Sequence, residues 1–492
     1  MKITKSLLLG STAALVAVAG TQAADLPVKA KPVEYVKICS LYGEGFYYIP
    51  GSDICLKIGG YVQADYGWNR AGSGQPHYTG ANGAQDRSVS PYSSRHRAHF
   101  NFDSRTQTAY GTLRTFVTVH IENRDQGSVT VSPARAFIQW AGFTFGHTKS
   151  YTDTPGTPAG DGFRSIHQTQ AQSDTGANGT NQIAYTWELG SGMTLSVGAD
   201  ERRTKGIANL SNNVVTVGSN PATAFGPYQH PTPWLNFAVN QAWGRFGASA
   251  IFNKVNATYY TDAPIDCPTG FTGTSACGHP DDKWGWAVLS GIDIKAPWAG
   301  PGDHIGGYFN YGVGAAAYSG GSNMGSPGLF GGGNTVALGV LSDAVFINGG
   351  QFELTTAWSA GFGYEHFWVP TVSTTVFGTY AQIRYNDTVI NSRLFCNSGG
   401  AVAQNIVVGS TVTCDPGFNY WSLGTHTDWY PVPGFRLAVE VLYTRIETAF
   451  DGQTVTLAKA QGLRPTGSYT AKDQGILSVG FRAVRSFATG GE

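Results

Sequence analysis

The feature of this sequence that most restricts its fold is an alternation of apolar and polar side chains with a period of two. Between residues 56 and 68, for example, Leu56, Ile58 and Val62 alternate with Lys57 and Gln63. Successive side chains of a β-strand point to opposite faces, so each such segment predicts a strand with one apolar and one polar face. Sixteen segments follow this pattern, at 56–68, 95–103, 110–121, 134–140, 143–150, 181–189, 193–201, 234–242, 245–254, 284–295, 304–313, 354–366, 372–385, 418–429, 435–447 and 474–487.

The connections between these segments alternate between long and short. Short ones include the two-residue links at 141–142 and 243–244, whereas the long ones run from about a dozen to forty residues. Membrane β-barrels combine short periplasmic turns with long external loops and an even number of strands. Segment 335–347 also alternates, but it is assigned to a long loop because another strand would break this order. The sequence therefore predicts an all-β fold, a 16-stranded antiparallel transmembrane β-barrel.

Composition supports a barrel and argues against other classes. Charged residues make up 13% of the chain and cancel to a net charge of zero, so no nucleic-acid partner is expected. A soluble protein with so little charge would disperse poorly, whereas a barrel with one face in lipid needs few charges. Sixteen strands leave an aqueous channel along the barrel axis. These observations predict a water-filled pore.

The N-terminal region predicts export. Lys2 and Lys5 precede an apolar stretch at 7–20 that is followed by small residues ending at Ala23. This arrangement is typical of a signal peptide, and the stretch is shorter than the roughly 20 residues of a membrane-spanning helix. We expect residues 1–23 to be removed and residues 24–55 to lie on the periplasmic side. The barrel is expected at 56–487, with a C-terminal extension at 488–492.

The six cysteines form three pairs that are close in sequence. Disulfides are the default in an oxidising compartment, and local pairing is favoured among the 15 connectivities that six cysteines allow. No spacing of cysteines and histidines fits a zinc site, so no metal is expected, and nothing indicates a cofactor. The expected pairs are Cys39 with Cys55, Cys267 with Cys277, and Cys396 with Cys414.

Sequence motifs of common enzyme classes are missing. The chain contains no G-x-S-x-G, H-E-x-x-H or G-x-G-x-x-G, and its 11 histidines are scattered. The sequence therefore predicts a protein that is not an enzyme.

Several segments resemble the general-diffusion porins of alphaproteobacteria. The similarity is strongest at 33–39 (VEYVKIC), 45–51 (GFYYIPG) and 55–62 (CLKIGGYV), and it returns at 135–146 (RAFIQWAGFTFG) and 353–359 (ELTTAWS). This resemblance implies a homotrimer of 16-stranded barrels in the outer membrane, each narrowed by an inward-folded third long loop. The residues after Phe487 depart from the family, which usually ends close to that phenylalanine.

The resemblance also implies a pore constriction. The inward-folded loop corresponds to residues 151–180, and its Asp153 and Asp161 match the acidic side. Opposed charges across a narrow polar gap filter solutes by size and charge. The same side chains could instead be ordinary lumen charges or loop residues paired for structure, and the sequence leaves both interpretations open. The basic wall opposite corresponds to Arg97, Arg114 and Arg135, with Arg95 and Lys57 as possible additional lining residues.

The predicted function is passive diffusion of small hydrophilic solutes and ions across the outer membrane, with membrane lipid around the barrel. Two alternatives are a substrate-selective porin and a surface receptor or adhesin that binds a partner through its long external loops.

Overall fold

A computed structural model describes most of the barrel and parts of its loops. The described residues are 37–71, 74–125, 127–153, 155, 171–176, 179–210, 217–220, 225–259, 278–321, 323–393, 395–396, 406–408, 413–457 and 460–487. The expected signal peptide at 1–23 and the extension at 488–492 lie outside them.

Sixteen long strands form one closed antiparallel barrel. Each strand pairs with the next along the chain, and β16 pairs with β1 from Tyr61–Ser486 to Trp68–Val479, which closes the cylinder. The predicted fold and strand number are confirmed, and every predicted segment coincides with one barrel strand. The strands are β1 (Cys55–Trp68), β2 (Tyr92–Thr108), β3 (Gly111–Arg124), β4 (Thr130–Trp140), β5 (Phe143–Thr148), β6 (Thr180–Gly190), β7 (Met193–Asp200), β8 (Thr232–Gln241), β9 (Gly244–Val255), β10 (Lys283–Lys295), β11 (His304–Val313), β12 (Thr356–Val369), β13 (Val372–Arg384), β14 (Phe418–Val432), β15 (Phe435–Glu447) and β16 (Gln474–Ser486).

Several of the short turns at one end of the barrel contain glycine, and their backbone geometry explains why. Ala141 and Gly142, between β4 and β5, have φ values of 49° and 87°. Positive φ at both central residues is the geometry of a two-residue hairpin turn that matches strand twist, and glycine adopts it without steric cost. Tight hairpin turns of this kind therefore connect the strands at the end of the barrel opposite the long loops.

The outer surface of the barrel is apolar. Large side chains such as Phe362, Val439 and Leu477 are about half exposed on the outward face. Exposed tryptophans border several of the short turns, including Trp243, Trp298 and Trp368. An apolar band flanked by aromatic side chains is the surface that a bilayer covers.

The long loops carry short elements of their own. None of the helices among the described residues is long and apolar enough to cross a membrane. Thr335–Leu338 and Ala344–Phe346, within the segment assigned to a loop, pair with loop strands and not with the barrel. The loop strands are Ile207–Asn209, Gly328–Gly331, Thr335–Leu338, Ala344–Phe346, Glu353–Leu354, Ile406–Val408, Thr454–Leu457 and Gly467–Ala471; the helices are Ser40–Tyr42 and Gly80–Ala84, both 3-10, and the α-helices Ala316–Ser319 and Asp387–Ser392.

Apolar side chains of the long loops pack together inside the external end of the barrel, and we call this cluster the loop core. It joins loop residues such as Leu338 and Tyr78 to lumen-facing residues of the barrel wall, including Ile383, Phe418 and Ile446, all buried. The longest loop, 314–355 between β11 and β12, supplies much of it. The external end of the lumen is therefore partly filled by packed loops.

Two of the three local cysteine pairs are disulfides. Cys39–Cys55 ties the N-terminal segment to the start of β1, and Cys396–Cys414 closes part of the loop between β13 and β14. Cys267 and Cys277 lie outside the described residues. The N-terminal segment also adds the short strand Tyr47–Tyr48, which pairs with the first two residues of β1.

Candidate functional site

Charged side chains on β2, β3 and β4 form a ladder along the inner wall of the barrel. Strand parity places Arg95, Arg97, Arg114 and Arg135 on the lumen face, as the sequence indicated, because each lies opposite another lumen-facing residue of the neighbouring strand. We call this set, with its carboxylate partners, the charge ladder.

Arg95, Arg97 and Arg114 are ion-paired with lumen-facing carboxylates. Arg95 lies 2.6 Å from Asp65, Arg97 lies 2.6 Å from Glu122, and Arg114 lies 3.0 Å from Asp103. The basic wall is therefore largely neutralised by acidic partners on the same side of the barrel.

The ladder residues lie at different heights and do not form one ring. Arg97 and Arg105 are eight positions apart on β2, which corresponds to about 26 Å along the strand. Because Arg114 is paired with Arg105 across the sheet, it lies near the periplasmic turn, whereas Arg97 lies near the external end. Arg135, opposite Thr118, occupies an intermediate height.

The third long loop, between β5 and β6, folds into the lumen. Tyr151 stacks on Trp234, whose ring centroid is 5.4 Å away, and Ser150 donates a hydrogen bond of 2.5 Å to Asp200. Both partners face the lumen. Arg135 also contacts this loop, because its guanidinium donates to the carbonyl of Gly176 at 2.8 Å.

Asp153 joins the two described ends of this loop to each other. Its carboxylate accepts from the backbone N–H of Thr175 at 2.9 Å and from the Thr175 hydroxyl at 2.5 Å, and Arg203 lies 3.8 Å away. The side chain is almost fully buried. In this arrangement Asp153 holds the loop together, and Asp161 lies outside the described residues.

Asp174 lies beside this junction and is sensitive to pH. Burial and the neighbouring Asp153 raise the pKa of Asp174 to about 7. Its carboxylate accepts a hydrogen bond of 2.8 Å from the backbone N–H of Gly176. The base of the inward-folded loop therefore contains a group that titrates close to neutral pH.

Buried Asp343 anchors the loop between β11 and β12 inside the barrel. It accepts hydrogen bonds of 2.8 Å from the backbone N–H groups of Lys205 and Ala316 and from the Thr204 hydroxyl. The lumen-facing Ser359 also donates to the carbonyl of Ser319 at 2.7 Å. The Asp343 bonds join this loop to the loop between β7 and β8, and the Ser359 bond fixes it against β12.

The N-terminal segment covers part of the periplasmic opening. The ring of Phe46 lies 5.7 Å from the Lys57 ammonium and 4.9 Å from the Arg105 guanidinium. Both cations face the lumen at the lower end of β1 and β2. Lys57 therefore lies at the periplasmic opening of the barrel, several residues along the strand from the external part of the charge ladder.

Sequence reasoning missed the carboxylates that pair with the arginines. Asp103 and Glu122 occupy the same alternation phase as Arg97 and Arg114, respectively, on strands that had been assigned correctly. Aligning the lumen-facing residues of neighbouring strands could have found these pairs, but only with the strand register known.

Residues 25–479 match the family described as a porin subfamily. The chain belongs to this porin family. It is 33% identical over 323 residues to porin Omp2a of Brucella ovis, an alignment that covers 59% of this chain and 86% of that protein. It is 32% identical over 230 residues to the putative outer membrane protein y4fJ of Sinorhizobium fredii, covering 45% of this chain and 60% of that one.

A solved structure supports the same architecture. The outer membrane channel DcaP of Acinetobacter baumannii aligns with a TM-score of 0.54 at 15% identity, covering 89% of this chain and 99% of that chain. At this identity the likeness concerns the fold alone. Family membership and the closed barrel together identify the chain as a porin of the bacterial outer membrane.

Proposed function

We propose that this porin passes small hydrophilic solutes and ions by passive diffusion along the charge ladder. The observation that carries the proposal is an unbroken row of polar, lumen-facing side chains along β2 within a closed barrel. Polar lumen-facing residues of β3 and β4 flank this row and are interrupted at the stacked pair Phe116 and Phe137. Solvent reaches both ends of this row. Arg124 at the external end is 51% exposed, and Arg105 and Arg114 near the periplasmic turn are each 27% exposed.

The loop core supports placing the path on this side of the barrel. It occupies the external end of the lumen next to β12 to β16, where the inward side chains are apolar. An apolar packed region excludes ions, whereas charged and hydrogen-bonding side chains replace part of an ion's hydration. Solutes therefore pass between the charge ladder and the inward-folded third loop.

In this proposal the third loop narrows the path, with Arg97, Arg114 and Arg135 on the wall and Asp161 on the loop. Asp153 contributes by holding the loop in place. The protein acts as a homotrimer and performs no chemical conversion. The outward face of β2 and β3 supports contact with another barrel, because it carries the exposed His96 and a hydrogen bond of 2.5 Å between Ser104 and Thr115 in place of purely apolar side chains.

Single-channel recording in planar bilayers tests this function. We expect stepwise, ohmic openings in KCl. Neutralising a wall charge with Arg114→Gln shifts the reversal potential in a salt gradient towards cations, because the Asp103 partner loses one of its two guanidinium groups. Arg445→Gln is the matched control, since Arg445 pairs with Asp473 at the external rim and outside the lumen.

A shift of equal size in both variants would place the ion path away from the ladder. Asp161→Asn tests the loop in the same recording, with a shift towards anions expected.

A surface receptor is the second candidate. A five-stranded sheet built from three different long loops favours it, because such a sheet gives the loops an ordered arrangement at the external end of the barrel. A protein without channel activity that binds a ligand tightly would support the receptor and refute the diffusion pore.

A further inference from the structure

Arg70 stands at the base of the first long loop, two residues after the end of β1. Its side chain is fully buried and packs over the lumen-facing side of Gly67. A Cβ at Gly67 would lie 2.3 Å from Cδ and 2.4 Å from Cγ of Arg70. Any side chain at position 67 would therefore collide with Arg70, and glycine provides the space that the Arg70 side chain occupies. Because Gly67 faces the lumen, the guanidinium is directed into the barrel and not towards the external solvent.

The guanidinium of Arg70 has no hydrogen-bond partner among the described residues, at any of its three nitrogens. Two further polar atoms nearby, Oγ of Ser93 and Nδ1 of His77, are also buried and unpartnered within the same described part of the chain. Ser93 is the cross-strand neighbour of Gly67, and the His77 backbone N–H donates to the carbonyl of Asn69, the residue before Arg70. We call these three side chains the Arg70 cluster.

Leaving such groups unsatisfied is costly. A buried polar atom without a partner loses its bonds to water and gains nothing in return, and a buried charge loses more. Burial lowers the pKa of Arg70 to about 9, so the side chain still carries its charge at neutral pH. The cluster therefore requires a compensating negative group.

The carboxylate that interacts electrostatically with Arg70, that of Asp65, already has several partners. Asp65 is fully buried and bonds Arg95 at 2.6 Å, Arg482 at 2.6 Å and Gln63 at 2.7 Å. Arg70 interacts electrostatically with both Asp65 and Arg482. Asp65 thus faces three guanidinium groups. Glu122, which lies 4.0 Å from Arg95, is itself paired with Arg97, so the local charge remains positive. The Arg482 side chain is 12% exposed, which gives the lumen water contact with this region.

We infer that the Arg70 cluster binds a small oxyanion, carrying phosphate or carboxylate oxygens, that enters from the lumen. Guanidinium groups form strong, charge-assisted hydrogen bonds to such oxygens, and the hydroxyl of Ser93 adds a donor. The cluster faces the inside of the barrel, so a free ion reaches it and a lipid headgroup does not. This inference deepens the proposed function, on which it rests, by assigning the channel an anion subsite at its external end.

Inorganic phosphate is the probe, and channel block is the readout. We expect phosphate added on the external side to reduce single-channel conductance in KCl in a saturable way. Arg70→Gln raises the half-blocking concentration at least tenfold, and Ser93→Ala raises it less. Arg445→Gln removes the same charge at the external rim, where it is paired with Asp473, and leaves the block unchanged.

Thermal unfolding of the detergent-solubilised protein tests the cluster independently of conductance. Phosphate raises the apparent melting temperature of the wild type but not of Arg70→Gln. Without phosphate, Arg70→Gln melts no lower than the wild type, because it removes an uncompensated buried charge.

Conducting channels whose block and melting temperature do not respond to phosphate, or respond equally in Arg70→Gln, overturn the anion subsite and leave the pore intact. A wild type that does not conduct but gains stability from phosphate through Arg70 refutes the pore and retains the subsite.

Discussion

Asp65 joins the two strands at which the barrel closes, and its removal should weaken that seam. From β1 its carboxylate bonds Arg482 on β16 at 2.6 Å and Arg95 on β2 at 2.6 Å, and its own side chain is fully buried. Asp65→Asn keeps the shape but removes the counter-charge of Arg482 and the closer of the two counter-charges of Arg95, which also lies 4.0 Å from Glu122. Removing one partner of a buried ion pair costs about 3–5 kcal/mol.

The expected change in melting temperature follows from the size of the chain. Unfolding entropy near the midpoint is about 2.1 cal/mol/K per residue, or about 1 kcal/mol/K for a chain of 492 residues. A loss of about 3–5 kcal/mol therefore lowers the midpoint by about 3–5 °C. Thermal unfolding in detergent at one fixed scan rate measures it, because large proteins unfold irreversibly and their midpoints depend on rate.

Asp103→Asn is the matched control. Asp103 also pairs with two lumen arginines, Arg105 and Arg114, but these side chains are more exposed, so water replaces part of the lost interaction. We expect a loss of about 1 kcal/mol there. The double variant Asp65→Asn with Arg482→Gln should recover part of the cost. If Asp65→Asn melts within about 1 °C of the wild type, the ion pairs across the seam do not stabilise the closed barrel and the reasoning is wrong.

Two further predictions concern the third loop and the N-terminal disulfide. Because burial raises the pKa of Asp174 to about 7, the protonated form stabilises the folded loop at pH 5 and this contribution is lost as pH rises through 7. Asp174→Asn should remove up to about 2 kcal/mol of the difference in stability between pH 5 and pH 8, measured as melting temperature at both values; an unchanged difference would assign the pH dependence to other groups. Replacing both Cys39 and Cys55 by serine opens a loop of 16 residues and should cost about 3 kcal/mol, seen as a lower melting temperature and a smaller response to reductant than in the wild type, because Cys396–Cys414 remains. Equal melting of the variant and the oxidised wild type would show that the Cys39–Cys55 disulfide does not stabilise the fold.

The barrel could be predicted from the sequence because one physical contrast, lipid outside and water inside, acts on every strand. It imposes alternation on segments such as β1 and β15, and the positions of strands follow from that alternation alone. Side-chain partners depend on register across the sheet, which single-strand patterns do not contain. The pairing of Arg97 with Glu122, and the use of Asp153 to join the ends of the third loop, therefore became visible only with the structure.

The loop core could have been recognised in the sequence, because at the external ends of several strands the apolar side chains face the lumen and the polar ones face outward. Lumen-facing Ile383 lies between the outward Gln382 and Arg384, and lumen-facing Ile446 lies between Arg445 and Glu447. An apolar side chain facing a water-filled lumen would be unfavourable, so this inversion indicates that packed protein covers the wall there. The loop 314–355 contributes to that cover, and β2 does not show the same inversion along the charge ladder. The phase of the alternation, read strand by strand, thus separates the part of the inner wall that binds loops from the part that remains available to solutes.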